Sequence, residues 1–290
     1  NALEHAKLKE PRGHLMPRGL PRALLCLTAL LVILPRASAQ QSVVEFQPAR
    51  DALDASGFDG TILIYDLRAD SYLAGHGGKS DTRFIPASTF KVFSSLVALE
   101  TEIIDSKSSV IAWDGVIRER AEINRDLDLQ TAFRLSAGPH YQQLVRRVGT
   151  ERMQYSIDTI GYGNRDISGG IDRFWLSGGL RISPREQVEF LTRLYHGDLP
   201  FSSDTMSAVK AMMVTEQTDD YVLRTKTGWA VIDDTDNTGW WIGWIEKSSN
   251  VYVFATVLRT STPGTDFGAA RIAVTRTIFD ALGLTDSIQE

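Results

Sequence analysis

An α+β fold is predicted for this chain: an antiparallel β-sheet built from both chain ends and flanked by helices, with an all-helical lobe inserted between them. Three observations predict it. Strand-like patterns gather near residues 60–76 and again at 221–258. The stretch from about 101 to 215 carries helix and loop patterns with few strand signals. An amphipathic helical pattern then closes the chain. Strand groups separated by a helical block fit one sheet with the block as a second lobe, and the crevice between such lobes favours ligands.

The elements follow in order. Met16-Pro17-Arg18 opens a basic stretch that also holds Arg22, followed by the apolar run Ala23–Leu34 and by Ala37-Ser38-Ala39. A basic segment, a short apolar core and an A-x-A site read as a secretory signal peptide with its start at Met16. The run is shorter than the roughly 20 residues that span a bilayer. Residues 1–39 are therefore expected to be upstream sequence plus a cleaved leader, with one folded domain at 40–290 and a periplasmic or secreted destination. Cys26, the only cysteine, leaves with the leader, so the folded domain has no disulfide and depends on its core.

Processing removes six cations and two anions, taking the formal net charge from −5 to −9. An acidic domain without a basic run is a poor partner for nucleic acid or an anionic membrane surface. An anionic substrate would need a local positive pocket. A small-molecule substrate is the partner expected, with monomer and homodimer both left open.

Gly60–Leu67 reads as a strand, Arg68-Ala69-Asp70 as a turn, and Ser71–His76 as the returning strand. From Ser88 to about Glu100 the apolar residues Phe90, Phe93, Leu96, Val97 and Leu99 fit a largely buried helix. Strand patterns return at Tyr221–Gly228, Gly239–Ile245 and Val251–Leu258, with a turn at Glu246–Asn250, before a last helix from about Gly268 to Leu282. Trp240, Trp241 and Trp244 read as core and cleft wall.

Three short motifs carry chemistry. In Ser88-Thr89-Phe90-Lys91 the serine and lysine are three apart at a helix start, so their side chains share one face. A serine hydroxyl becomes a nucleophile when a neighbouring base takes its proton. Lysine is that base only when burial keeps its amine neutral, and Phe84, Phe90 and Phe93 supply apolar surroundings. The helix start adds free N–H groups that favour an oxyanion.

Lys226-Thr227-Gly228 falls on a predicted strand. Thr227 is suited to a carboxylate, the Trp229 N–H to an acyl oxygen, and Gly228 to close approach of a ligand. Ser136-Ala137-Gly138 lies between the two motifs, with Ser136 suited to bridging Ser88 and Lys226. Each motif alone is weak. Their joint order is that of active-site serine β-lactamases and penicillin-binding proteins.

On these residues the chain resembles the class D (oxacillinase-type) serine β-lactamases over the whole expected domain. The middle motif lacks the asparagine of class A enzymes and transpeptidases. Tyr162-Gly163-Asn164 resembles the family's tyrosine-glycine-asparagine element, and Phe174–Ser183 resembles the segment that delivers a tryptophan to the catalytic lysine.

The resemblance implies hydrolysis of β-lactams through an acyl-enzyme on Ser88. It implies that Lys91 becomes an N-carboxylysine by reaction with carbon dioxide, with no other cofactor, and that Trp175 holds the carbamate through its indole N–H. It implies an oxyanion hole from the Ser88 and Trp229 N–H groups, and a carboxylate-binding arginine early in the last helix. Arg271 matches that arginine, with Arg259 as rival. The family usually has an aliphatic residue at the position of Gly138, so the glycine suggests a less shielded carbamate.

No metal is expected. H-x-H-x-D and H-E-x-x-H are absent, as is the G-x-S-x-G elbow. A penicillin-binding DD-peptidase and a β-lactam sensor domain remain the competing readings.

Overall fold

The computed structural model describes residues 43–232, 236–264 and 266–285; the leader expected at 1–39 lies outside the described residues. The strands are β1 (Val43–Glu45), β2 (Asp59–Asp66), β3 (Ser71–Gly75), β4 (Val110–Ile111), β5 (Leu127–Asp128), β6 (Val214–Gln217), β7 (Tyr221–Ile232), β8 (Asp236–Lys247) and β9 (Asn250–Thr260). Seven of them form one sheet in the order β1-β3-β2-β9-β8-β7-β6. Every neighbouring pair in it is antiparallel except β1–β3, which is parallel. Both chain ends thus build the sheet, joined at β2–β9.

Period-two alternation buries both faces of the strands. On one face Leu63, Trp240, Ile242, Trp244 and Val253 pack with the helical block. On the other, Ile62, Ile64, Trp241 and Phe254 pack under α1 (Gln47–Ser56) and the last helix, α8 (Phe267–Ala281). All three tryptophans of β8 are core, at 0–3% exposure, and Trp241 also walls a cavity beside β7.

Between β3 and β6 lie α2 (Phe90–Glu100), α3 (Leu129–Arg134), α4 (Gly138–Val148), α5 (Thr150–Ile160), α6 (Pro184–His196) and α7 (Ser203–Met212). One short ladder, β4 with β5, interrupts the helices. Strands of two residues are too short to show alternation in a sequence, so this ladder was not expected. Helix starts are capped by side chains where the chain must turn sharply. Asp128 and Ser202 accept from backbone N–H groups, and Ser183 with Glu186 forms a reciprocal capping box ahead of Pro184.

α2 has nine buried residues from Phe90 to Ala98 and no polar face, as a helix through the centre of a core must. It carries Lys91 into the interior. The helix expected from Ser88 begins two residues later, because Ala87–Thr89 forms a separate 3₁₀ turn. The strand expected to end at Gly228 runs on to Ile232.

Candidate active site

The Ser88 turn is clamped from several sides. Ala87 adopts a left-handed φ of 50°, a conformation that costs a non-glycine residue energy and needs its surroundings to hold it. Its N–H donates to the Trp175 carbonyl at 2.9 Å, while Phe84 and Ile182 exchange backbone bonds of 2.9 and 2.8 Å just upstream. The Trp240 indole donates to the Ile85 carbonyl at 2.8 Å, and Gln187 donates to the Thr89 hydroxyl at 2.8 Å.

β7 presses against this turn at Gly228. A Cβ there would lie 3.0 Å from both the Pro86 carbonyl oxygen and Thr89 Cγ2. The glycine admits the nucleophile's own turn, which places Ser88 beside the strand.

Lys91 is 1% exposed and its Nζ donates to Ser88 Oγ at 2.9 Å. The ammonium position lies 5.1 Å from the centre of the Tyr141 ring. Burial, with a smaller contribution from the Arg120 charge, lowers its pKa to about 7. A substantial neutral fraction at physiological pH follows.

Lys226, 4% exposed, donates to Ser136 Oγ at 3.2 Å and to the Thr227 carbonyl at 3.0 Å. Burial, then the charges of Lys91, Arg271 and Arg120, hold its pKa well below the usual lysine range. Ser136 has a left-handed φ of 52° at the entry to α4. Ser88–Lys91 and Ser136–Lys226 are thus two pairs in which a buried lysine donates to a half-buried serine.

β6 pairs with β7 only through Val222–Arg224, and the Thr225 N–H donates to the Met213 carbonyl at 2.8 Å on that same outer side. By alternation the N–H groups of Thr227 and Trp229 also point outward, beyond the end of β6. Trp229 is 43% exposed, with its indole donating to Asn237 Oδ1 at 3.0 Å.

Trp175 stacks on Phe90, with ring centres 5.3 Å apart, and its buried Nε1 has no hydrogen-bond partner. The loop that delivers it is held by Asn164, which donates to the Gly179 carbonyl and accepts from the Arg181 N–H. An unpartnered buried donor is costly. Together with a lysine amine of lowered pKa on the residue after Phe90, it fits a small anion carried by Lys91.

Arg271 is 8% exposed, lies 5.8 Å from the Trp229 ring and leaves Nε and Nη1 buried without partners. Burial lowers its pKa to about 10. Arg259 is instead bound to Asp236 through two nitrogens, at 3.2 and 2.8 Å. Two further residues of the site were not expected from the sequence. Gly239, opposite Trp229, leaves room for Phe267 and Arg271, whose atoms would lie 3.0–3.4 Å from a Cβ. Arg120 donates to the Leu135 carbonyl at 2.8 Å, one residue before Ser136; no local motif marks it, since it arrives from a loop.

A family model described as the penicillin-binding protein transpeptidase domain matches residues 60–282. The β-lactamase OXA-48 of Klebsiella pneumoniae is 38% identical over 219 residues, covering 76% of this chain and 82% of the relative. A crystal structure of the class D β-lactamase YbXI from Nostoc is 44% identical, with a TM-score of 0.78 over 82% of this chain and 99% of that one. The regulatory protein BlaR1 of Bacillus licheniformis is 34% identical over 84% of this chain, which spans 40% of that protein.

Proposed function

The chain belongs to the class D β-lactamases, within the penicillin-binding transpeptidase-domain family, and from that premise we propose a mechanism in which Ser88 opens the β-lactam ring with Lys91, in its N-carboxylated form, as the base. The observation that carries it is the pair of hydrogen bonds from buried lysines to half-buried serines, Lys91–Ser88 and Lys226–Ser136. Thr227 and Trp229, on the stretch of β7 left unpaired by β6, adjoin these pairs.

Ser88 Oγ attacks the lactam carbonyl. The Ser88 and Trp229 N–H groups receive the oxyanion, which stabilises charge only as it develops. Ser136, hydrogen-bonded to Lys226, stands ready to pass a proton to the departing ring nitrogen. Thr227 and Arg271 hold the substrate carboxylate, and the two free guanidinium donors of Arg271 support that role.

The carbamate would supply the anionic base that takes the Ser88 proton and, after acylation, the proton of a water. In this reading Trp175 Nε1 would donate to it. Its lack of any partner and the lowered pKa of Lys91 support this reading. The same activity would confer β-lactam resistance on a bacterium exporting the protein. No helix among the described residues is long and apolar enough to cross a membrane.

The test is nitrocefin hydrolysis by purified protein in bicarbonate buffer. Sustained turnover that disappears in Ser88→Ala is expected. One stoichiometric burst would transfer the protein to the sensor or DD-peptidase reading.

A further inference from the structure

We propose that the cavity flanking β7 beyond Thr227 is a subsite for an anionic aromatic substituent on the leaving-group side of the β-lactam. The inference rests on the β-lactamase mechanism above and names a class of substrate for it.

β7 sets the direction of the bound molecule. With the acyl oxygen at the Trp229 N–H and the carboxylate at Thr227, the substrate runs backward along the strand. Two residues further, at Thr225, a cavity of about 310 Å³ opens. Its walls include Gln130, Arg134, Thr215 and Arg276, together with Lys226 and Thr227 of the site itself. A volume of this size accommodates a small ring.

The chemistry of the walls selects what that ring carries. No aspartate or glutamate lines the cavity, although the chain as a whole has a net charge of −5. Arg134 is exposed and has no hydrogen-bond or ion-pair partner among the described residues. Arg276 donates to Glu216 at 2.6 Å and lies 5.8 Å from the Trp241 ring, so its charge is partly answered from outside. Phe133, Met212, Trp241 and Ile272 supply apolar surface. An aryl or heteroaryl ring bearing a carboxylate or sulfonate satisfies both kinds of wall. The competing account of Arg134 is a solvated cation in the last turn of α3, favoured there by the helix dipole.

Two cephalosporin-type substrates decide between them. They share one acyl side chain and differ only in a ring substituent at C3 that carries either a carboxylate or a carboxamide. In Arg134→Gln the KM for the carboxylate is expected to rise about three- to fivefold, the range of an exposed charge pair. The carboxamide KM stays unchanged, and the difference narrows at high salt. Arg134→Glu enlarges the difference. Equal shifts for the two substrates, or no shift for either, overturn the subsite. Failure of the unaltered protein to hydrolyse either substrate while it turns over nitrocefin overturns the subsite alone, and failure on nitrocefin as well would sink the β-lactamase reading.

Discussion

Lys91 donates to Ser88 Oγ across 2.9 Å from inside a helix that has brought its amine to a pKa of about 7. The neutral form that a base or a carbon dioxide acceptor requires is therefore present near neutrality, and the folded protein bears the cost of a charged buried amine below it.

That cost has a sign that stability measurements can read. Between pH 7 and 10.5 the unfolded chain holds a proton on Lys91 that the folded protein has released, so this residue makes stability rise with pH across that window. A depression from 10.5 to about 7 corresponds to roughly 5 kcal/mol. In bicarbonate-free buffer, Lys91→Met should raise Tm most near pH 6, with the gain shrinking toward pH 10. A pH-independent difference would refute the account.

Trp175→Phe keeps an aromatic ring to stack on Phe90 and removes the orphaned N–H along with part of the indole. A hydrogen bond to a charged group is worth about 1.5–3 kcal/mol. The bicarbonate concentration for half-maximal activity should therefore rise about tenfold or more. Tm should fall only modestly, because the loss of a buried unpaired donor offsets part of the cost of the smaller ring. Unchanged bicarbonate dependence would separate Trp175 from the carbamate.

Gly138 starts α4, and a Cβ there meets nothing within 4 Å. Gly138→Val should fill part of that open space without strain. Its expected signature is a lower bicarbonate requirement and slower loss of activity on dilution into mildly acidic buffer. Insensitivity of the parent protein to bicarbonate removal would end the hypothesis.

The two arginines should part cleanly. Arg271→Ala removes two unpaired buried donors. Without that charge-assisted bond to the substrate carboxylate, KM should rise on the order of 10- to 100-fold. Arg259→Ala breaks only a partly exposed ion pair with Asp236, for which a change under about fivefold is expected. Steady-state kinetics with one penicillin suffices, and the reverse ranking would exchange their roles.

Gly228→Ala tests the seat of the nucleophile. The added methyl would lie 3.0 Å from the Pro86 carbonyl oxygen, pushing the turn by tenths of an ångström. Overpacking of this kind costs about 1–3 kcal/mol, and misplacement of the nucleophile should lower kcat about tenfold or more. Unaltered kcat with normal Tm would show that the strand and turn have slack.

The long elements were legible because their signals are local. The apolar run Ile62–Tyr65 marks β2, which pairs along its length with β9, and Phe90, Phe93 and Leu96 mark α2 by their spacing. Ser88 and Lys91 could be read together because they stand three apart across one helical turn. The parts that escaped are set by distant packing. Val43–Glu45 becomes a strand only because β3 offers it an edge. The function of Gly228 depends on Pro86, and that of Gly239 on Phe267 and Arg271, none of which is near in sequence. Arg120 joins the site through the carbonyl of Leu135, a bond that periodicity does not record.

The stretch of β7 beyond β6 carries one further consequence. A strand with unsatisfied outward N–H groups is a template for another chain, the route by which sheets aggregate. Here the turn bearing Ser88 crowds the strand at Gly228, so the accessible run is shorter than the roughly five or six residues of an ordinary strand. The edge is a dead end: long enough to recognise a small amide, too short to recruit a neighbour. The same crowding that aims the nucleophile thereby helps keep the protein from polymerising at high concentration.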